Sequence, residues 1–210
     1  MVTNFPSNLQ TSGEALVLDA LQTAMRLRKE VVVLTLRHLD NLTKPADHSP
    51  LDWWLLCAAF TTSAPAERKK VLRIVVDKAS SKQLSPSLLR AAVRGHGVTL
   101  SPHFGAHLEM ATALLQKQTA SSRDAGGALY ALVFEEFTEI FERQELLGHL
   151  LSHVGSGSAA EIEAALSVLV SLATSDALAV HRFASFLTYI LDYLATLSIG
   201  QVDIYIYRYI

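Results

Sequence analysis

Apolar positions recur every three or four residues along most of this chain, a spacing that predicts helices rather than strands. Thr11-Ser12-Gly13-Glu14 reads as a capping box and predicts a helix running to about Arg28. A second helix is expected from about Lys29 to Leu42, ending at the break between Pro45 and Pro50. Ser49-Pro50 then opens a third helix carrying Trp53, Trp54 and Phe60. Serine is a good N-cap, and proline at the first helical position has no amide to waste. The same device recurs at Ser85-Pro86 and Ser101-Pro102, and Ala64-Pro65 opens a helix over about Ala66–Ala79. Later helices are expected over about Ala125–Glu142, Glu145–Val154, Ala159–Thr174 and Asp176–Leu197. Ser158-Ala159-Ala160-Glu161 reads as a second capping box.

Consecutive helices with short joints must pack as antiparallel neighbours, which predicts an all-α fold. No strict repeat is visible, so an irregular α–α superhelix of HEAT or armadillo type rests on helix order and length. Residues 1–11 are expected to be disordered and residues 12–198 to form the solenoid. The ending Gln201-Val202-Asp203-Ile204-Tyr205-Ile206-Tyr207-Arg208-Tyr209-Ile210 alternates with period two. Residues 199–210 are therefore expected to be a divergent tail, such as a truncated gene or read-through into non-coding sequence would produce.

At 50% hydrophobic and 18% charged residues, the 210-residue chain can bury a large core. No apolar run reaches the roughly 18 residues a membrane span requires. Cys57 is the sole cysteine, which rules out an internal disulfide and a cysteine-based zinc site. Its neighbours Trp53, Trp54, Leu55, Leu56 and Phe60 predict a buried structural thiol.

Charge is divided along the chain. Residues 1–123 hold 15 Lys/Arg and 9 Asp/Glu, and residues 124–210 hold 3 and 11. Such a split fits a basic face for a polyanion and an acidic face for something else, or two solvated surfaces. The densest basic cluster is Arg68, Lys69, Lys70 and Arg73, continued by Lys78 and Lys82. Arg26, Arg28, Lys29, Arg90 and Arg94 lie nearby in sequence. Arg68, Lys69, Lys70, Arg73 and Lys78 are the candidate DNA contacts, whose role would be phosphate attraction without base reading, and an ordinary solvated face is the alternative. The packing face of that helix is expected to be Val71, Leu72, Ile74, Val75 and Val76.

Two histidine pairs, His103/His107 and His149/His153, have the i,i+4 spacing of helical metal ligands. Neither pair encloses the glutamate of a His-Glu-x-x-His motif, so satisfied or surface histidines are expected, with no metal or other cofactor. Glu135, Glu136, Glu139, Glu142 and Glu145 are expected to form an acidic stripe opposite Leu132, Val133, Phe137, Ile140 and Phe141. No phosphate loop or nucleophile motif is present, so an enzyme is not expected.

From about Ser12 to Ser198 the chain resembles the Fanconi anaemia group D2 family. The blocks that carry the likeness are Ser12–Leu21, Phe60-Thr61-Thr62 with the basic helix after it, Glu145–His153 and Ser156–Leu169. The resemblance implies a nuclear, non-enzymatic α-solenoid that clamps duplex DNA at interstrand crosslinks beside a group I-like partner. It further implies activation by ubiquitin ligase machinery at the lysine of a Phe-Val-Lys-Gly-Ile-Leu-Asp-Tyr-Leu motif. The matching stretch here is Phe186-Leu187-Thr188-Tyr189-Ile190-Leu191-Asp192-Tyr193-Leu194. Thr188 stands where the lysine should be, and no lysine follows Lys117. Either this member is not modified at that position, or the chain is a divergent copy. A generic helical-repeat scaffold without a DNA role is the competing expectation, and a metal-dependent helical enzyme a remote third.

Overall fold

A computed structural model describes residues 7–42, 49–62, 64–94 and 100–185, together with 188, 189 and 192. Among these residues it is all helix: ten α-helices and one 3-10 turn. They are α1 (Ser7–Leu27), α2 (Lys29–Asn41), α3 (Pro50–Thr62), α4 (Pro65–Ser80) and α5 (Pro86–Val93), followed by the 3-10 turn Ser101–His103. The remainder are α6 (Phe104–Leu115), α7 (Ala120–Glu136), α8 (Ile140–Val154), α9 (Ala159–Ser175) and α10 (Ala177–His181).

Several starts follow from the expected chemistry. Pro50, Pro65 and Pro86 each begin a helix where their missing amide costs nothing. Ser85 Oγ accepts from the Leu88 amide at 3.3 Å. The Ser49 amide donates to Asp52 Oδ2 at 2.7 Å, so the first turn of α3 caps itself. α4 ends in a Schellman arrangement: Gln83 N–H reaches Lys78 O at 2.8 Å and Lys82 N–H reaches Ala79 O at 3.0 Å. Lys82 supplies the left-handed residue, at φ +57°, in a place glycine usually takes.

Helices two apart in sequence stack on one another. The contacts α1·α3, α3·α5, α5·α7 and α7·α9 build one layer, and α2·α4, α4·α6 and α6·α8 build the other. Two such layers, each helix touching mainly its neighbours, make an α-solenoid. The core runs between them and includes Leu39, Trp53, Val75, Leu89, Leu114, Leu129, Tyr130 and Leu146. The closest crossing is α6 on α7. A Cβ at Gly126 would lie 3.0 Å from Ala111 O, from Leu114 Cβ and from Leu115 N, so this mid-helix glycine is required by backbone approach.

Four expectations are corrected. α1 begins at Ser7, so Thr11–Glu14 lies within the helix and does not open it. Ser158 makes no side-chain cap to α9, and the Glu161 carboxylate turns to His153 while the Ser158 amide donates to Ser156 Oγ. The helix expected over Ala125–Glu142 is two helices, broken at Phe137–Glu139. Phe137 is buried against Phe104 at 5.3 Å and His107 at 5.9 Å, which draws the chain out of helical register. Arg143 fixes the corner: its Nε donates to Phe134 O at 3.1 Å and Phe137 O at 3.2 Å, satisfying carbonyls that the end of α7 leaves bare. The long helix expected from Asp176 instead starts as the short α10, capped by Asp176 Oδ1 accepting from the Ala179 amide at 3.0 Å, and turns at Arg182–Phe183. The tail at 199–210 lies outside the described residues.

Candidate nucleic-acid interface

The basic helix is α4. Its buried side is Val71, Ile74, Val75, Lys78 and Ala79, while Leu72 and Val76 are half-buried. Arg68, Lys69, Lys70 and Arg73 are exposed on the remainder. Arg68 lies over the Phe60 ring of α3, its guanidinium carbon 5.5 Å from the centroid. Lys69 and Arg73, one turn apart, share a groove with Gln116 and Lys117 at the end of α6. Lys117 thus joins the basic set through the α4·α6 stacking, which its distance in sequence concealed.

Lys78 is not a surface cation. It is 7% exposed, and its Nζ donates to Leu42 O at 3.0 Å, at the C-terminal end of α2. Burial pulls its pKa down, and the charges of Asp52 and Asp40 pull it back up. It falls between Val71, Ile74 and Val75 on the inward side, so it cannot reach a phosphate. Lys82 is exposed at the end of α4, and Arg26, Arg28 and Lys29 are exposed at the α1–α2 joint. Arg90 and Arg94 are exposed on and just after α5, in the layer opposite α4.

The histidine pairs have protein partners. His103 bonds to Gln22 on α1 and lies 3.5 Å from Thr61 Oγ1. His107 is fully buried, with Nδ1 3.0 Å from His103 O, and Trp53 donates to its Nε2 at 3.5 Å. Burial, and then Arg26, push His103 down to about 4. His107 is also pushed down to about 4, by burial first; the hydrogen bond to His103 O opposes this and the His103 ring adds to it. Both imidazoles are therefore neutral core groups at neutral pH. Cys57 is buried beside His107, Sγ to Nδ1 3.6 Å, and burial raises its pKa, as suits a structural thiol.

The second pair belongs to a chain of polar side chains that the sequence did not reveal. His153 Nδ1 meets Glu161 Oε1 at 2.6 Å, and His153 Nε2 meets Tyr130 OH at 3.2 Å. Tyr130 OH pairs with Thr112 Oγ1 at 2.7 Å, and Thr112 Oγ1 is 3.4 Å from His149 Nδ1. Burial pushes the Tyr130 hydroxyl up to about 12; the Thr112 hydrogen bond opposes this and the Glu161 charge adds to it. Among the described residues, no group of three or more His, Cys, Asp or Glu side chains is placed to hold a metal ion.

A family profile described as "Fanconi anaemia protein FancD2 nuclease" matches residues 5–207, nearly the whole chain. The chain belongs to the Fanconi anaemia FancD2 family. It is 30% identical over 187 residues to the Fanconi anemia group D2 protein homolog of Mus musculus, covering 89% of this chain and 13% of that protein. The Rattus norvegicus homolog is likewise 30% identical over 187 residues, and the Gallus gallus group D2 protein 26% identical over 187. The chain thus spans about an eighth of the length of these FancD2 relatives. No helix among the described residues is long and apolar enough to cross a membrane.

In the stretch expected to match the family's acceptor motif, Thr188 is exposed and its hydroxyl donates to Ala184 O at 3.0 Å. Tyr189 and Asp192 are exposed too. The motif's remaining positions, Phe186, Leu187, Ile190, Leu191, Tyr193 and Leu194, lie outside the described residues. The expected acidic stripe is divided by the α7–α8 corner. Glu135, Glu139 and Glu145 are exposed, Glu136 and Glu142 half-buried, and Ile140 and Phe141, expected on the packing side, are exposed.

Proposed function

We propose that this segment is a non-enzymatic scaffold in DNA interstrand crosslink repair, working in the nucleus and contacting duplex DNA through α4. The single observation that carries the reading is the division of that helix. Val71, Ile74, Val75 and Ala79 are buried, while Arg68, Lys69, Lys70 and Arg73 stay together in solvent. Four cations on one short helical surface attract phosphate without reading bases. FancD2 membership supports a place in the Fanconi anaemia pathway and a pairing with a group I-like protein along the solenoid. Although the family description names a nuclease, the two histidine pairs, His103/His107 and His149/His153, are turned onto protein partners, which favours a binding role over catalysis. With Thr188 at the acceptor position, this segment has no lysine there for the family's ubiquitin ligase.

Fluorescence anisotropy on a labelled duplex tests the reading. The quadruple variant Arg68→Ala, Lys69→Ala, Lys70→Ala, Arg73→Ala should bind more weakly than the wild type. Unchanged affinity would leave a helical-repeat interaction scaffold without a DNA role at α4.

A further inference from the structure

The groove between α4 and α6 is more than a row of cations. Its floor is apolar, formed by Leu72, Val76 and Ala113, and Lys69, Arg73 and Lys117 stand on its rim with one carboxylate, Asp77. The space is about 440 Å³, room for an aromatic side chain. A phosphate backbone has no use for an apolar floor. An acidic segment with an apolar anchor would use both parts.

The chain itself carries such a segment. At the α7–α8 corner Phe141 is 83% exposed and Ile140 is 58% exposed, whereas the other phenylalanines and both tryptophans among the described residues are buried. Glu139, Glu142 and Glu145 flank them in sequence. Partial burial holds the Glu142 carboxyl above its usual range; a backbone hydrogen bond involving Glu139 opposes this, and the charges of Glu139 and Glu145 add to it. A cationic rim would relieve that crowding. The corner is held in shape by Arg143, whose Nε bonds to Phe134 O and Phe137 O and whose guanidinium lies 4.5 Å from the Phe134 ring centroid. A knob fixed before binding loses little entropy on docking.

We propose that the α4–α6 groove receives the Phe141 corner of a second copy of this chain. Phe141 enters over Leu72, Val76 and Ala113, while Glu139, Glu142 and Glu145 face Lys69, Arg73 and Lys117. The charge division between the two halves of the chain favours this pairing and opposes groove against groove. Knob and groove are different surfaces, so each copy offers one of each, and association either closes on a two-fold axis or extends. The proposal goes beyond the DNA reading, and Arg68 and Lys70 lie outside the groove.

Sedimentation velocity of the 210-residue chain over a wide concentration range at low salt tests it. Species larger than the monomer should grow with concentration and shrink with added salt. Phe141→Ser changes no charge and sits in solvent, so it should leave helical content and duplex binding intact while weakening association by about tenfold or more. Lys69→Glu with Lys117→Glu should weaken it similarly, and adding Glu139→Lys with Glu142→Lys should recover part of it. A chain that stays monomeric throughout overturns the proposal, as does association indifferent to Phe141→Ser. If the charge reversal abolishes duplex binding while the wild type remains monomeric, the groove serves phosphate: the docking proposal fails and the DNA reading stands.

Discussion

His153 Nδ1 sits 2.6 Å from Glu161 Oε1, which ties the last turn of α8 to the first turn of α9 across the Gly155–Ser158 turn. Both residues are buried, and Tyr130 holds the other ring nitrogen. A buried hydrogen-bonded pair costs much to break because the remaining group keeps its burial and loses a partner that compensated for leaving water. Glu161→Ala should therefore destabilise the fold by about 3 kcal/mol in denaturant unfolding. The exposed Glu135→Ala should stay within about 0.5 kcal/mol of the wild type. Equal effects from the two would show that the His153–Glu161 contact is dispensable.

Acid should weaken the fold before its carboxylates titrate. His103 and His107 have an ordinary value of 6.5 and are held down to about 4 in the folded protein. Between those values the unfolded chain takes up protons that the folded one refuses. Stability is thus complete above pH 6.5 and falls as pH drops toward about 4, by up to about 3 kcal/mol per histidine. Urea midpoints recorded from neutral pH downward measure this. A flat profile down to pH 5 would mean that these imidazoles are not excluded from charging.

Two glycines on neighbouring helices separate helix propensity from packing. Gly105 in α6 has nothing within 4 Å of a built Cβ, whereas Gly126 in α7 faces backbone of α6 at 3.0 Å. Gly105→Ala should gain up to about 1 kcal/mol from propensity alone. Gly126→Ala makes the same gain but forces the helices apart, for a net loss of about 1–2 kcal/mol. Thermal unfolding of the two variants should move in opposite directions, and movement the same way would refute the close crossing.

How much of this was legible depends on how local the determining contacts are. Pro50, Pro65 and Pro86 marked their helices because proline at a first turn acts on its own backbone. The α7–α8 break was hidden because Leu132, Val133, Phe137, Ile140 and Phe141 keep helical spacing through it. What ends α7 is the burial of Phe137 on Phe104 and the bonds of Arg143 to two carbonyls, and sequence alone does not record these. Glu161 was misread as a cap because its partner, His153, lies on the preceding helix. Lys78 was recoverable: its spacing from Val71, Ile74 and Val75 places it inward, and the charge count obscured that. The addition of Lys117 to the basic rim came only from the stacking of α4 on α6.

Ubiquitin conjugation supplies a test of the acceptor position. Thr188 is exposed, and its hydroxyl is tied to Ala184 O, so no isopeptide bond is expected there or at any residue after Lys117. Mass spectrometry after reaction with the matching ligase should find no conjugate between Gln118 and Ile210. Thr188→Lys should supply an acceptor in that span. A conjugate in the unaltered chain beyond Lys117 would contradict this account, and one at Lys117 or earlier would place the acceptor elsewhere.

The salt dependence of duplex binding tests the central claim most directly. Phosphate contacts release counterions, so log Kobs should fall linearly with log salt for the wild-type chain, at about −0.9 per contact. Replacing Arg68, Lys69, Lys70 and Arg73 with alanine should flatten that slope by up to about 3.6 while lowering affinity at low salt. Lys78→Ala, buried against Leu42, should lower stability and leave the slope of the folded fraction unchanged. If the quadruple variant keeps the wild-type affinity and slope, α4 is only a solvated face and the DNA-binding account is wrong.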